Sequence, residues 1–251
     1  MQNTDLTEKR KRFPAELSYI FGMFSLAFGC AFMERANFGL SMVVAPAYIL
    51  YVKLSAYFSF LTFGMAEYVF QAFLLIIMML VLKRFLISYI FSFASAVLYG
   101  FLLDFAMTAV SYIPKEPIAS RIPMYIVGLL LCSLGVAFMI HTYIPGEVYE
   151  LICKEVPSRF NIGISEFKTA YDISSCIIAV IMSFAFFGMW HFEGVKLGTV
   201  ICALVNGFFI GKISSFMDRH FVFAPYIHIG TNNQKQTFDD KQSTTLNQNV
   251  K

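Results

Sequence analysis

Gly29-Cys30-Ala31-Phe32-Met33 recurs as Gly135-Val136-Ala137-Phe138-Met139, an offset of 106 positions. Each copy closes a long apolar segment. Each is followed by a helix-breaking step: Phe38-Gly39-Leu40-Ser41 after the first, Ile144-Pro145-Gly146-Glu147 after the second. Beyond each break come a short mixed segment and two further apolar runs. The pattern predicts an all-α membrane protein with six transmembrane helices. They form two inverted three-helix repeats, each with a short broken or interfacial helix. An odd number of crossings per repeat turns the second copy upside down. Secondary transporters commonly use this arrangement, with their sites where the repeats meet.

Composition agrees. The 251 residues are 58% hydrophobic and only 14% charged, where a soluble domain carries about a quarter. Runs near the ~20 residues that cross a bilayer fall at roughly 17–33, 60–82, 86–112, 122–141, 170–189 and 196–217. The predicted organisation is a basic N-terminus at 1–14, a first repeat at 15–112, a connector at 113–120, a second repeat at 121–222 and a tail at 223–251. The tail is rich in Asn, Gln, Thr and Lys and is expected to be largely disordered from about 228.

Basic residues set the expected orientation. Lys9 to Arg12, Lys83, Arg84, Lys154, Arg159, Lys168 and Arg219 fall on one side. The other side has the thinner set Arg35, Lys53, Lys115, Arg121 and Lys196. Both termini are therefore expected in the cytoplasm. The basic start lacks a small-x-small cleavage site, so the first span reads as retained. The +3 net charge adds only this bias and does not suggest nucleic acid.

The five cysteines form no C-x-x-C pair, and no H-E-x-x-H, Walker A or nucleophile-elbow pattern occurs. The expectation is no enzyme, no cofactor and no metal.

Chemistry is instead sought in the polar residues of the spans and breaks. Glu67 lies inside the second span with Gln71 one turn on. Asp172 follows Lys168 by four residues, at helical pairing distance. A carboxylate within a membrane is costly and is a functional candidate. Allowing a one-residue drift, Glu67 and Asp172 occupy matching repeat positions. Glu67 is expected to carry a proton, and Asp172 to be an ion-paired gate. Ser41 is expected to cap a helix running to about Lys53. Pro145 is expected in the first turn of a helix running to about Val156, with Glu147 near its positive end. Both short helices could lie flat or dip in; Ser41 and Glu147 would then mark the lips of the site. Gly207 and Gly211 form a small-xxx-small pattern suited to close helix packing. Asp104, at the end of the third span, has no acidic counterpart.

The run Phe28-Gly-Cys-Ala-Phe-Met-Glu-Arg-Ala-Asn-Phe-Gly39-Leu-Ser41 resembles the "GxA…A-x-L-G-x-S" signature of the YczE/YyaS/YitT group of bacterial membrane proteins. Pro145-Gly146-Glu147, Phe167-Lys168 with Asp172, Phe187-Gly188 and Gly194-Val-Lys-Leu-Gly198-Thr199 resemble its later motifs, so the likeness covers about 20–220. Phe38 and Met42 depart from that group's usual Leu and Pro. The resemblance implies a multi-pass protein of the bacterial inner membrane and no settled substrate.

Together these readings predict a secondary transporter or permease for a small polar or anionic solute. The alternative is a non-catalytic membrane subunit: the substrate-binding component of an ATP-driven importer, or an accessory or assembly protein. The expected partners are the solute and membrane lipid, with a partner subunit or homodimer as open alternatives.

Overall fold

The computed structural model describes residues 11–114, 118–189 and 192–224. The predicted disordered tail and the first ten residues lie outside them. The described elements run β1 (Lys11–Pro14), α1 (Ala15–Ala36), α2 (Ala45–Ser55), α3 (Phe63–Leu82), α4 (Ile87–Ser111), α5 (Ile118–Ile140), α6 (Val148–Phe160), α7 (Ile164–Phe187), α8 (Leu197–His220) and β2 (Phe221–Ala224). Six helices, α1, α3, α4, α5, α7 and α8, are long and apolar enough to cross a membrane. Their order and bounds match the predicted spans to within a few residues, except that α7 begins earlier.

The strand pair was not foreseen. β1 pairs in parallel with β2, Lys11 opposite Phe221, so both ends of the described chain lie at one end of the bundle. Phe13, Phe138, Phe221 and Phe223 cluster there. The His141 ring lies on Phe223 and bonds Asp218 at 3.0 Å.

The core is the crossing of α1 with α5. Two glycine pairs allow it. A Cβ on Gly29 would lie 2.8 Å from Gly128 O, and one on Gly128 2.8 Å from Gly29 O. One turn-pair away, a Cβ on Gly135 would lie 2.8 Å from Gly22 O. Backbones this close leave no room for a side chain, which is how membrane helices gain packing energy where lipid offers no hydrophobic drive. α4 packs on α1 and α8 on α5, while α3 packs along α4.

The two short helices cross over. α6 packs on α3, and α2 on α7. Ala45 and Ile49 of α2 share a buried cluster with Ala179 of α7, and Lys53 Nζ donates to Phe186 O near the end of α7. The strap before α2 lies against the start of α8: Leu40 N–H donates to Gly194 O and Gly198 N–H to Phe38 O. Gly39, at φ +111°, turns this strap where Thr199 leaves no space for a side chain.

Three expectations change. Ser41 does not cap α2 through its side chain; its carbonyl accepts the Val44 and Ala45 N–H groups in a preceding turn. The helix starts at Ala45, with Pro46 in the first turn, where no N–H is needed. Pro145 stays outside α6, because its carbonyl is held by Ser95 of α4, and the extended Glu147 is the N-cap. A Cβ added at Gly207 or Gly211 would meet nothing within 4 Å among the described residues: α7 does not close on α8 as α3 closes on α4.

Asp104 of α4 is a hydrogen-bond acceptor for the start of α3. It accepts the Gly64 N–H at 2.7 Å and the Thr62 hydroxyl at 2.6 Å, locking the start of α3 to α4.

Candidate functional site

The first turns of α6 meet α3 at Gln71. Gln71 is the ninth residue of α3, about 12 Å along its axis at 1.5 Å per residue. From there α6 runs toward the end of α3, where Arg84 forms an ion pair with Glu155 and Tyr89 reaches the same carboxylate at 3.4 Å. The N-terminus of α6 thus lies halfway along a spanning helix.

Gln71 organises the contact. Val148 is the first residue of α6, and its N–H is one of the donors a helix leaves without an internal partner. Gln71 Oε1 accepts it at 3.0 Å. This fixes the amide, oxygen toward the helix start and nitrogen toward two carboxyl groups. Nε2 donates to Glu147 Oε2 at 2.8 Å and approaches Glu67 Oε1 at 3.4 Å. Glu67 and Gln71 are fully buried and Glu147 is 6% exposed.

The Tyr149 hydroxyl faces Glu67 closely enough to act on its charge. Neither it nor Glu67 Oε2 has a hydrogen-bond partner within 3.5 Å among the described residues, though the two lie close enough to interact with each other, and Ser92 Oγ of α4 is likewise buried without one. Tyr99 of α4 lies within electrostatic reach of both carboxyls. A relay from α1 braces the tip: the Tyr19 hydroxyl donates to Ser95 Oγ at 2.7 Å, and Ser95 donates to Pro145 O at 2.8 Å.

Among the described residues no cation balances the pair. The groups acting on Glu147 are Glu67, Glu150 and Gln71; those acting on Glu67 are Tyr149 and Gln71. Burial first, then the charges of Glu67 and Glu150, hold the Glu147 carboxyl well above the ordinary carboxylate range. Burial and Glu67 likewise push the Tyr149 phenol up, so it stays a hydroxyl. Burial raises the Cys153 thiol on α6 to about 11, which leaves it unreactive at neutral pH.

The structure therefore brings together three of the six residues singled out from sequence: Glu67, Gln71 and Glu147. Lys168 and Asp172 form their own pair at 3.5 Å on α7. Tyr171 lies beside it, within reach of Asp172 and Glu67 alike. Ser41 sits at the other break, on the α2 side. Sequence reasoning missed Tyr149, Tyr99, Ser92 and Ser95. The last three had a signal, since 92, 95 and 99 mark one face of an otherwise apolar span. Tyr149 had none, because its role depends on the depth reached by α6. Among the described residues no group of three or more His, Cys, Asp or Glu side chains could hold a metal ion.

A family model described as a family of unknown function, DUF6198, matches residues 13–215. No curated protein and no solved structure matches the chain.

Proposed function

The chain belongs to this family of unknown function, and we propose that it is a secondary transporter or permease for a small polar solute, with its central site at the tip of α6. One observation carries the reading: the start of α6 brings Glu147 to the middle of α3, where Glu67 and Gln71 meet it with no counter-cation among the described residues. Transporters build sites from such broken helices at mid-depth. Two carboxyls favour a neutral polar or cationic solute over the anion also considered from sequence.

The packing supports an inverted repeat. Under the offset of 106, Gly22 maps to Gly128 and Gly29 to Gly135, so the contact of Gly22 with Gly135 exchanges into that of Gly128 with Gly29. In the same way α6 on α3 exchanges with α2 on α7, and α4 on α1 with α8 on α5. An antiparallel pair related by a two-fold in the membrane plane behaves in this way.

We place the shared end of the chain in the cytoplasm of a bacterium, since Lys83, Arg84, Lys154 and Arg159 gather at that end. The resemblance to the YczE/YyaS/YitT group points to the same inner membrane. Reporter fusions after Arg84 are expected to report cytoplasm, and fusions after Tyr112 the exterior. The reverse pattern would overturn the orientation, and one compartment for both would overturn the three-crossing repeat.

Uptake is tested with purified protein in liposomes, using radiolabelled amino acids, polyamines and polyols under an imposed pH gradient. The protein alone is expected to accelerate entry of at least one class over empty liposomes. The Gly207–Gly211 face of α8, uncovered by the described residues, favours the second reading, a non-catalytic subunit that docks a partner. Copurifying ATPase subunits, with no uptake by the protein alone, would select it.

A further inference from the structure

We infer that Glu67 and Glu147 together bind one exchangeable proton, held between α3 and the tip of α6, and that this proton is the coupling ion of the site. The inference deepens the transport reading by naming its ion, and its test needs no solute.

The charge balance comes first. Two carboxylates joined through one amide, both buried and without a cation, cannot both stay ionised cheaply; such pairs take up a proton as a unit. The groups facing them add no positive charge. They are Tyr19 and Cys30 from α1, Tyr99 from α4, Tyr149 and Glu150 from α6, and Tyr171 from α7. Lys168, whose charge reaches Cys153 on α6, is engaged with Asp172.

The second observation is that Glu67 Oε2 and the Tyr149 hydroxyl, buried and facing each other, have no other hydrogen-bond partner within 3.5 Å among the described residues. Tyr149 is 8% exposed and faces the carboxyl. When Glu67 is ionised, the phenol can donate to it. When Glu67 is protonated, its O–H can donate to the phenol oxygen. The two groups are complementary in either state, so a proton can arrive or leave without stranding a polar atom. The step is a bare protonation: one carboxylate oxygen gains an O–H bond and the pair loses one negative charge.

The amide separates a proton from a metal cation. A sodium ion would recruit neutral carbonyl oxygens, and Gln71 supplies the one amide carbonyl bridging the two acids. That oxygen is committed to Val148 N–H, and Gln71 turns N–H donors toward the carboxyls instead. Donors suit carboxyl groups and repel a metal ion.

The test uses dicyclohexylcarbodiimide, which modifies protonated carboxyls in apolar surroundings. The full chain in lipid is labelled across a pH series and read by mass spectrometry. One adduct per chain is expected, on Glu67 or Glu147, still present at a pH where an ordinary Glu, near 4.3, is ionised. Sodium ions should not protect. Glu67→Gln removes the neighbouring charge, so the Glu147 adduct should fade at a lower pH. Glu150→Gln, whose charge acts less strongly on Glu147, should shift it less. Protection by sodium would overturn the proton in favour of a metal ion. Two independent adducts per chain, or labelling of Asp172 with neither Glu modified, would overturn the shared pair. Each glutamine variant is near in size to its parent, and size-exclusion profiles separate misfolding from lost protonation. A chain that labels as expected but moves no solute retains the shared proton site and loses both the transport reading and the proton's role as coupling ion.

Discussion

Gln71→Leu is expected to be the most damaging conservative-volume change in the α3–α6 contact. It removes one side chain that serves three buried groups: the Val148 N–H, Glu147 and Glu67. Leu fills nearly the same volume, so the loss is in polar satisfaction, not packing. An unsatisfied buried group costs about 1–3 kcal/mol. Hydrogen bonds between membrane helices average about 0.6 kcal/mol, because separated helices find other partners. Three groups together then cost about 2 kcal/mol at the low end and several at the high end. Thermal unfolding in detergent should show a clearly lowered midpoint. Gln71→Glu keeps an acceptor for Val148 but adds a third acid, so its loss should shrink as pH falls and the acid protonates. A Gln71→Leu protein that melts like the parent would mean that the three groups find other partners, and that the tip of α6 is not held by this amide.

Gly29→Leu is expected to abolish the α1–α5 crossing, and Gly29→Ala to weaken it. At Gly29 a Cβ would meet Cys132 N at 2.7 Å and Gly128 O at 2.8 Å. Both are backbone atoms, so relief requires moving a whole helix. Overpacking of this kind costs about 1–3 kcal/mol for small additions and more for large ones. The control is Gly207, whose Cβ would meet nothing within 4 Å. Gly207→Ala should be neutral or mildly stabilising, since Ala exceeds Gly in helix propensity by about 1 kcal/mol. Monodisperse yield and melting temperature of the two series decide the matter. Equal sensitivity at Gly29 and Gly207 would refute the assignment of α1–α5 as the core crossing. Exchange of these glycine contacts under the repeat offset adds that Gly135→Ala should cost about as much as Gly29→Ala.

The six spans were legible from sequence because each is long, apolar and bounded by a breaker. Membrane crossing depends on length and transfer energy, which are local properties. The recurrence of Gly-x-Ala-Phe-Met marked the helices that form the core, though it took the structure to show Gly22 and Gly128 completing the crossing. Glu67 and Gln71 stood out because a polar group inside an apolar run is costly wherever it points. Glu147 stood out by its place after the break. What sequence could not supply was distance. Whether Glu147 lay apart from Gln71 or beside it depended on where α6 meets α3. That meeting point is set by the Val148–Gln71 and Ser95–Pro145 bonds, which span 77 and 50 positions. Separation of Asp172 from the acid pair, the Tyr149 hydroxyl facing Glu67 and the open face of Gly207 arise the same way. The sequence alone determined which segments could enter a membrane and which residues would be expensive there. Only the tertiary structure decided which of those residues meet, because the contacts that satisfy a buried polar group come from other helices.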